Sequence, residues 1–283
     1  MWVDVDGGRL RVETSGSGSG AESTILLLHG WSLDRRIFEP QIRYLERSFQ
    51  VIAFDRRGFG RSQAPPDLRL ELDDIDRILE ALGRRAVHLL GMSQGARIAL
   101  RFAATRPQSV RSLIVQAPAI DGVAPDEPEP ERIPMGEFAT LARAGRMDEV
   151  RKRWLAHPMM SLGAGNARLR QRVEEIVGDY EGKDLLNYSP AGYYFPHDVL
   201  QRLSTLDKPC LVLTGAHETQ SRREHARRLL ESIPHCREIV FRHSAHLSNL
   251  TEAEDYNRQV AIFCASVDDG AREQEVFSRN SRS

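Results

Sequence analysis

Short apolar runs alternate with longer amphipathic stretches along most of the chain. After two strand-like pieces that meet at Gly7-Gly8, the apolar runs are "STILLLHG", "FQVIAFD", "AVHLL" and "SVRSLIVQAPA". Runs of this length, rich in Leu and β-branched residues, are typical of buried strands, and the stretches between them have helical periodicity. The pattern predicts an α/β fold with a mostly parallel sheet and helices on both of its faces.

This alternation breaks after Ala119. The next residues, "DGVAPDEPEPERIP", are rich in proline and acid and are typical of a linker, and residues 135 to about 195 have helical patterns without a strand. Strands resume with "KPCLVLTGA" and "CREIVF", each followed by a helical pattern. We therefore predict a sheet domain in two parts, 1–119 and 196–267, a helical cap inserted at 120–195, and a polar tail at 268–283 that is frayed.

Composition narrows the class of protein. The 283 residues have a net charge of −1, which argues against nucleic acid or an anionic membrane as the main partner. The longest strongly apolar run, "ILLL", is far too short to span a bilayer, and the first residues lack the basic and apolar regions of a signal peptide. Three cysteines, an odd number, indicate free thiols in a reducing compartment. We expect a cytoplasmic protein.

The pentapeptide "GMSQG" surrounds Ser93 where a predicted strand meets a predicted helix. A strand, a sharp turn and a buried helix form the setting of a nucleophile elbow, which holds a serine in a strained conformation with its hydroxyl above the sheet. A Cβ atom at Gly91 or Gly95 would collide where the helix and strand nearly touch. Ser93 is therefore the candidate nucleophile, and the alternative is an ordinary serine in a solvent-exposed turn.

A serine hydroxyl needs a base, and the base needs an acid that orients it. His246 lies deeper than His243 in the loop after the last strand, so we predict His246 as the base. Glu218 follows the preceding strand and gives the chain order nucleophile, acid, base. Asp121, after an earlier strand, is the competing acid, although its setting beside the linker favours a solvated turn.

The carbonyl under attack also needs donors for its developing negative charge. The backbone N–H of Gln94 begins the helix after the elbow, where the helix dipole favours an anion. A second N–H is expected from the loop after "ILLLHG", which makes Trp31 the candidate. Gly30 lets that backbone approach closely, and His29 is expected to brace the loop. This chemistry needs neither a metal nor a cofactor.

Five motifs together resemble the α/β-hydrolase superfamily across roughly residues 9 to 265. They are "LLLHGWSLD", "VIAFDRRGFGRS", "LLGMSQG", "LVLTGAHE" and "SAHLSNLTEAEDYN". The front half is most similar to the branch with bacterial esterases, 3-oxoadipate enol-lactonases and cofactor-free haloperoxidases. The resemblance implies an α/β-hydrolase fold and assigns the "D-x-R-G-x-G-x-S" turn, Asp55 to Ser62, a structural role.

Three positions depart from the family pattern. Members commonly have Met or Gly where this chain has Gln94, and Asp is the most frequent acid where this chain has Glu218. Haloperoxidase-like members tend to have Pro where this chain has Ser32, which disfavours that activity here.

These features favour a serine hydrolase that cleaves a small to medium carboxylic ester or lactone through an acyl-enzyme. A carbon–carbon bond hydrolase of ring-cleavage products uses the same triad and is the alternative enzyme. A non-catalytic ligand receptor on the same fold is the alternative from another class. Apolar cap side chains predict a largely apolar pocket for a small-molecule substrate, and its candidate lining residues are Phe138, Trp154, Met159, Met160 and Tyr194.

Overall fold

A computed structural model describes residues 1–16, 23–163, 166–188 and 198–280, with side chains described up to residue 270. Its strands are β1 (Trp2–Val5), β2 (Gly8–Ser15), β3 (Thr24–Leu28), β4 (Gln50–Phe54), β5 (Val87–Met92), β6 (Val110–Gln116), β7 (Cys210–Gly215) and β8 (Cys236–Phe241). The longer helices are α1 (Glu39–Leu45), α2 (Glu71–Ala81), α3 (Gln94–Thr105), α4 (Met135–Arg143), α5 (Met147–Leu155), α6 (Ala167–Gly178), α9 (Gln220–Ser232) and α11 (Ala253–Asn280). Three short helices are α7 (Lys183–Leu186), α8 (Val199–Leu203) and α10 (Ser248–Thr251).

The strands described form one sheet in the order β1-β2-β4-β3-β5-β6-β7-β8. The first hairpin is antiparallel, β2 pairs antiparallel with β4, and every later pair is parallel. The predicted mostly parallel sheet is confirmed. Because the carboxyl ends of parallel strands share one edge, the loops that follow β3, β5, β7 and β8 lie close together.

The central strand β3 shows why the sheet is buried on both faces. Its sequence is apolar at consecutive positions, and each of its residues is fully buried. Ile25 and Leu27 join one hydrophobic core, whereas Leu26 and Leu28 join the other. Successive side chains of a strand point to opposite faces, so a continuous apolar run serves two cores at once.

In its described part, the segment between β6 and β7 contains helices α4 to α8. The buried side chains of α4 to α7 belong to the same core as Trp31 and Leu33 of the loop after β3. We call α4 to α7 the inserted helices. They contact the loop after β3 through Trp31, which donates to Asp184, and through Trp154, which donates to Ser32.

The C-terminal helix differs from the prediction of a frayed tail at 268–283. Helix α11 continues to Asn280, and Asp268 is buried. Its carboxylate accepts hydrogen bonds from His88 Nε2 at 3.1 Å, Arg111 Nη1 at 2.6 Å and the Ser23 hydroxyl. Asp268 is thus held by buried partners on the sheet. The prediction of a frayed tail was made from the polar composition of this segment, which does not reveal such partners.

The same cluster forms a serine–histidine–aspartate arrangement, since Ser112 Oγ lies 2.7 Å from His88 Nδ1. Ser112 and His88 are completely buried, near the starts of β6 and β5. This is the edge of the sheet opposite Ser93, and a buried serine there offers no access to a substrate. The arrangement anchors α11.

None of the described helices combines the length and the apolar character needed to cross a membrane.

Asp268→Asn is expected to lower the free energy of unfolding at pH 7 by about 1–3 kcal/mol, because an amide does not match the charge of Arg111. Burial alone would raise the pKa of Asp268, but hydrogen bonds from His88, Ser23 and Arg111 hold that pKa well below its usual value. Such a carboxylate stabilises the fold above about pH 4, where it is charged in the unfolded chain too, and less as the pH falls. The difference between wild type and variant in urea unfolding is therefore expected to shrink below about pH 4.

Asp269→Asn is the matched control, because Asp269 is the next residue of the helix and is exposed. Its effect on unfolding is expected to stay within about 0.5 kcal/mol, because an ion pair or hydrogen bond of an exposed carboxylate contributes little to stability. Two results would contradict the anchoring role. One is an equal loss of unfolding free energy in both variants, and the other is a loss for Asp268→Asn that is as large at about pH 3 as at pH 7.

Candidate active site

Ser93 stands alone between β5 and α3 in a backbone conformation that few residues adopt. Its φ and ψ are 55° and −114°, and its side chain is partly exposed. A Cβ atom at Gly95 would lie 2.2 Å from the carbonyl oxygen of Leu28, and one at Gly91 would lie 2.4 Å from the carbonyl oxygen of Gly95. Only glycine fits at either position, so α3 can begin against β3 and hold the Ser93 turn in its strained form.

Glu218 and His246 form a buried pair. Glu218 Oε2 accepts a hydrogen bond from His246 Nδ1 at 3.0 Å, and Glu218 Oε1 accepts one from the Thr219 N–H at 2.8 Å. Both side chains are almost fully buried. Burial alone would raise the pKa of Glu218, but His246 and the Thr219 N–H outweigh it and lower that pKa. The carboxylate is therefore charged at neutral pH and fixes the orientation of the imidazole.

The two loops that carry this pair pack tightly against each other. A Cβ atom at Gly215, the last residue of β7, would lie 2.3 Å from the carbonyl oxygens of Ser244 and Ala245. The His217 N–H also donates to the Ser244 carbonyl oxygen at 3.0 Å. Backbone contact thus sets the distance between the loop of Glu218 and the loop of His246.

Gln116 connects the Ser93 turn with the His246 loop, and the sequence reading missed it. Its backbone carbonyl accepts from the Ser93 N–H at 2.9 Å. Its side-chain Nε2 donates to the His246 carbonyl oxygen at 2.8 Å and to Asn249 Oδ1 at 3.0 Å. Asn249 is itself held by Gln41, whose Nε2 donates to its carbonyl oxygen at 2.8 Å. The sequence feature that could have identified Gln116 is a polar residue at the end of an otherwise apolar strand.

The alternative base and acid have other surroundings. His243 is exposed, and its backbone N–H donates to Glu252 Oε2 at 2.9 Å. Asp121 is buried rather than solvated, with Arg97 Nε at 3.3 Å and Arg101 Nε at 3.7 Å. The expectation of a solvated turn at Asp121 was wrong, because two arginines of α3 face it.

The loop after β3 lies directly against the elbow. A Cβ atom built on Gly30 would be 3.4 Å from Ser93 Cβ. In the described part of the chain, neither the Trp31 nor the Gln94 backbone N–H donates to a protein acceptor. Both N–H groups therefore remain available to an oxygen beside Ser93.

His29 is completely buried beneath this loop. Its Nε2 accepts from the Arg56 N–H at 2.9 Å, so its Nδ1 carries the proton and donates to the Gly30 carbonyl oxygen at 2.8 Å. Burial, followed by the charge of Arg56, lowers the pKa of His29 to about 3. A neutral imidazole with both nitrogens engaged braces the loop.

The Trp31 side chain joins the loop to the inserted helices. Its Nε1 donates to Asp184 Oδ2 at 2.7 Å, and its ring lies 4.9 Å from that of Trp154. Trp154 Nε1 in turn donates to Ser32 Oγ at 2.6 Å. Ser32 has a φ of 61°, a value closed to proline, whose ring fixes φ near −65°. The conformation of the backbone at Ser32 therefore explains why this chain does not have Pro at that position.

The predicted pocket residues Phe138, Trp154, Met159 and Met160 are all buried in the core that contains Trp31. Phe138 stacks on Trp31 with ring centroids 6.2 Å apart. Tyr194 lies outside the described residues. His157, not predicted, packs at 5.0 Å on Trp154. Among the residues described, no three or more His, Cys, Asp or Glu side chains are grouped to hold a metal ion.

Known proteins resemble this chain over most of its length. A family model described as "alpha/beta hydrolase fold" matches residues 23–253. The chain is 28% identical over 269 residues to the 2-hydroxy-6-oxononadienedioate/2-hydroxy-6-oxononatrienedioate hydrolase 2 of Pseudomonas putida, covering 90% of this chain and 91% of that protein. It is also 28% identical over 255 residues to the pimeloyl-[acyl-carrier protein] methyl ester esterase of Chromobacterium violaceum, covering 89% of this chain and 96% of that protein.

Solved structures show the same fold. An esterase from Exiguobacterium antarcticum superposes with a TM-score of 0.76 at 24% identity, covering 93% of this chain and 98% of that one. The family model spans most of the sheet, the Ser93 turn and the loops of Glu218 and His246. This chain belongs to the alpha/beta hydrolase fold family.

Proposed function

We propose that the protein is a serine hydrolase that cleaves a small to medium carboxylic ester or lactone through an acyl-enzyme. The observation that supports this most directly is the buried contact of 3.0 Å between Glu218 Oε2 and His246 Nδ1, at the edge of the sheet where the Ser93 turn is exposed. A buried charged carboxylate that orients an imidazole is the arrangement that activates a serine.

The position of the proton on His246 suggests what each group does in the proposed reaction. Because His246 Nδ1 donates to Glu218, Nε2 is the nitrogen that takes the Ser93 proton as Oγ attacks the ester carbonyl. The N–H groups of Trp31 and Gln94 hold the oxyanion that forms. His246 then gives the proton to the leaving alkoxide, and the carbonyl re-forms as the acyl-enzyme.

Water completes the proposed cycle. His246 takes a proton from a water molecule, the hydroxide attacks the acyl carbonyl, and the same proton returns to Ser93 Oγ as the acid leaves. For a lactone substrate the leaving alkoxide stays attached to the acyl group, so the product is one hydroxy acid. Glu218 keeps its charge throughout and stabilises the imidazolium.

The inserted helices support a substrate of limited size. The rings of Phe138 and Trp154 pack on the ring of Trp31, the same residue whose backbone N–H is proposed to hold the oxyanion. We propose that these helices act as a cap over Ser93, with Met159 and Met160 on its apolar side. The relatives include an esterase that acts on a methyl ester and a solved esterase, which agrees with an ester as the substrate.

A carbon–carbon bond hydrolase is the second candidate function. It is favoured by one specific observation, the relative from Pseudomonas putida that hydrolyses 2-hydroxy-6-oxononadienedioate. The two functions differ in the bond that breaks, so a direct assay separates them. Purified protein that turns over ring-cleavage dienoates faster than aryl esters and lactones would replace the first proposal with the second.

Ser93 is expected to react with a fluorophosphonate probe at neutral pH, because only an activated serine attacks phosphorus at a useful rate. Mass spectrometry of the digested protein is expected to find the label on the peptide with Ser93, and Ser93→Ala is expected to fold normally without labelling. Labelling that persists in Ser93→Ala would overturn the assignment, and a folded wild-type protein that never labels would favour a non-catalytic receptor.

Glu218→Gln is expected to lower kcat by about 10²- to 10⁴-fold at neutral pH, since the amide keeps the shape but loses the charge that holds His246. Asp121→Asn removes a charge from between Arg97 and Arg101, so it is expected to lower the stability of the fold. Its kcat per folded molecule is expected to stay within about fivefold of the wild-type value. Steady-state kinetics with an aryl ester, corrected for the folded fraction, measures both. A reversed pair of results would make Asp121 the acid.

Gln116 is expected to position His246. Gln116→Leu leaves the His246 carbonyl oxygen and Asn249 Oδ1 without their donor, so kcat is expected to fall about tenfold while KM changes little. Gln41→Leu is the control, because Gln41 reaches the same network only through Asn249. We expect a similar loss of thermal stability from both changes. Equal losses of kcat would reduce Gln116 to a structural role.

A further inference from the structure

Gln94 follows the candidate nucleophile directly, and its side chain makes one defined contact. Its Oε1 accepts a hydrogen bond from Arg56 Nη2 at 2.8 Å. Gln94 is partly exposed. Its backbone N–H belongs to the proposed oxyanion site, and its carboxamide takes no part in the proposed acyl-transfer steps.

Arg56 cannot turn away from this contact. It is completely buried, and its Nε and Nη2 donate to the two carboxylate oxygens of Glu71 at 2.7 and 2.8 Å. Its Nη1 donates to the His29 carbonyl oxygen at 3.0 Å. A bidentate carboxylate and a backbone carbonyl together fix the plane of the guanidinium.

The fixed guanidinium determines which way the amide of Gln94 faces. A guanidinium has donors and no acceptor, so only the oxygen of the amide can face it. The NH₂ group must then face the opposite side, and this settles an orientation that is otherwise open to a flip of the amide. In the described part of the chain, Gln94 Nε2 has no protein acceptor.

The contact also strengthens the outward donor. An amide oxygen that accepts from a charged donor withdraws electron density from its own nitrogen, which makes the N–H groups more polar. The charge of Arg56 itself is matched by Glu71, a buried carboxylate at two short contacts. The side chain therefore presents a polarised donor without net positive charge, which suits a neutral oxygen better than a carboxylate.

We propose that Gln94 determines specificity, and that Nε2 donates a hydrogen bond to a neutral oxygen in the acyl part of the substrate, close to the scissile carbonyl. This rests on the proposed ester or lactone hydrolase function and names its substrate class. That class is acyl groups with an ether, hydroxyl or ketone oxygen a few bonds from the ester. Plain alkyl acyl groups of the same size leave the donor unpaired when they displace water.

The experiment compares isosteric esters of one aryl leaving group. Methoxyacetyl is paired with butanoyl, 3-methoxypropanoyl with pentanoyl, and 4-oxopentanoyl with 4-methylpentanoyl, so that the oxygen is sampled at different distances. The measured quantity is the ratio of kcat/KM for the oxygenated ester to that for its alkyl partner. Dividing the ratio of the wild type by that of a variant cancels the intrinsic reactivity of each ester.

Gln94→Met keeps the length of the side chain and removes the donor, so it is expected to lower this ratio about tenfold for at least one pair. Gln94→Glu retains an oxygen for Arg56 and presents an oxygen to the substrate instead of NH₂, so it is expected to lower the same ratio further. Gln108→Met, at an exposed glutamine of the turn before β6, is the matched control and is expected to leave every ratio unchanged.

The outcomes separate this proposal from the proposed function. Ratios that Gln94→Met leaves unchanged for all three pairs, while both esters of each pair are hydrolysed, would overturn the role of Gln94 alone. A wild-type protein that hydrolyses none of these esters, although it is folded, would overturn the ester hydrolase function first. Equal loss on both esters of every pair would make Gln94 structural and also overturn the proposal.

Discussion

The close approach of α3 to β3 is the constraint on which the site depends. The helix begins so near the strand that a Cβ atom at Gly95 would lie 2.2 Å from the carbonyl oxygen of Leu28. At that distance the chain must turn within one residue, and Ser93 carries the turn with a φ of 55°. The strain costs on the order of 1–3 kcal/mol and persists because the surrounding core determines the backbone on both sides. Exposure of Ser93 and of the Gln94 N–H follows from this packing.

Buried polar groups hold the remaining loops around that turn. Beneath the loop of Trp31, neutral His29 and charged Arg56 are completely buried, and their hydrogen-bonding groups meet acceptors or donors of the protein. On the other side, Gln116 bridges the Ser93 turn and the His246 loop. Buried polar groups are costly to leave unpaired, so each network admits few alternative arrangements. The proposed reaction needs a site that is organised before substrate arrives, and these networks agree with that need.

The sequence was informative where one residue type has one physical use. The glycines around Ser93, the apolar run of β3 and the alternation of strands and helices predicted the fold and its parallel sheet. Contacts between distant segments were beyond its reach. Arg56 meets Gln94, Gln116 meets His246, and Asp268 meets His88 only after the chain has folded. Asp121 was misread for the same reason, since the arginines that face it lie on α3.

The proposed function requires that Ser93 is acylated during turnover. The most direct measurement is rapid acid quench of the protein mixed with an excess of an aryl ester, followed by intact mass and peptide mapping. We expect a burst of aryl alcohol and a mass increase equal to one acyl group on the peptide that contains Ser93. With Glu218→Gln, the same adduct is expected to form more slowly. An acyl group on another residue, or turnover in Ser93→Ala at the rate of the wild type, would contradict the role of Ser93 as nucleophile.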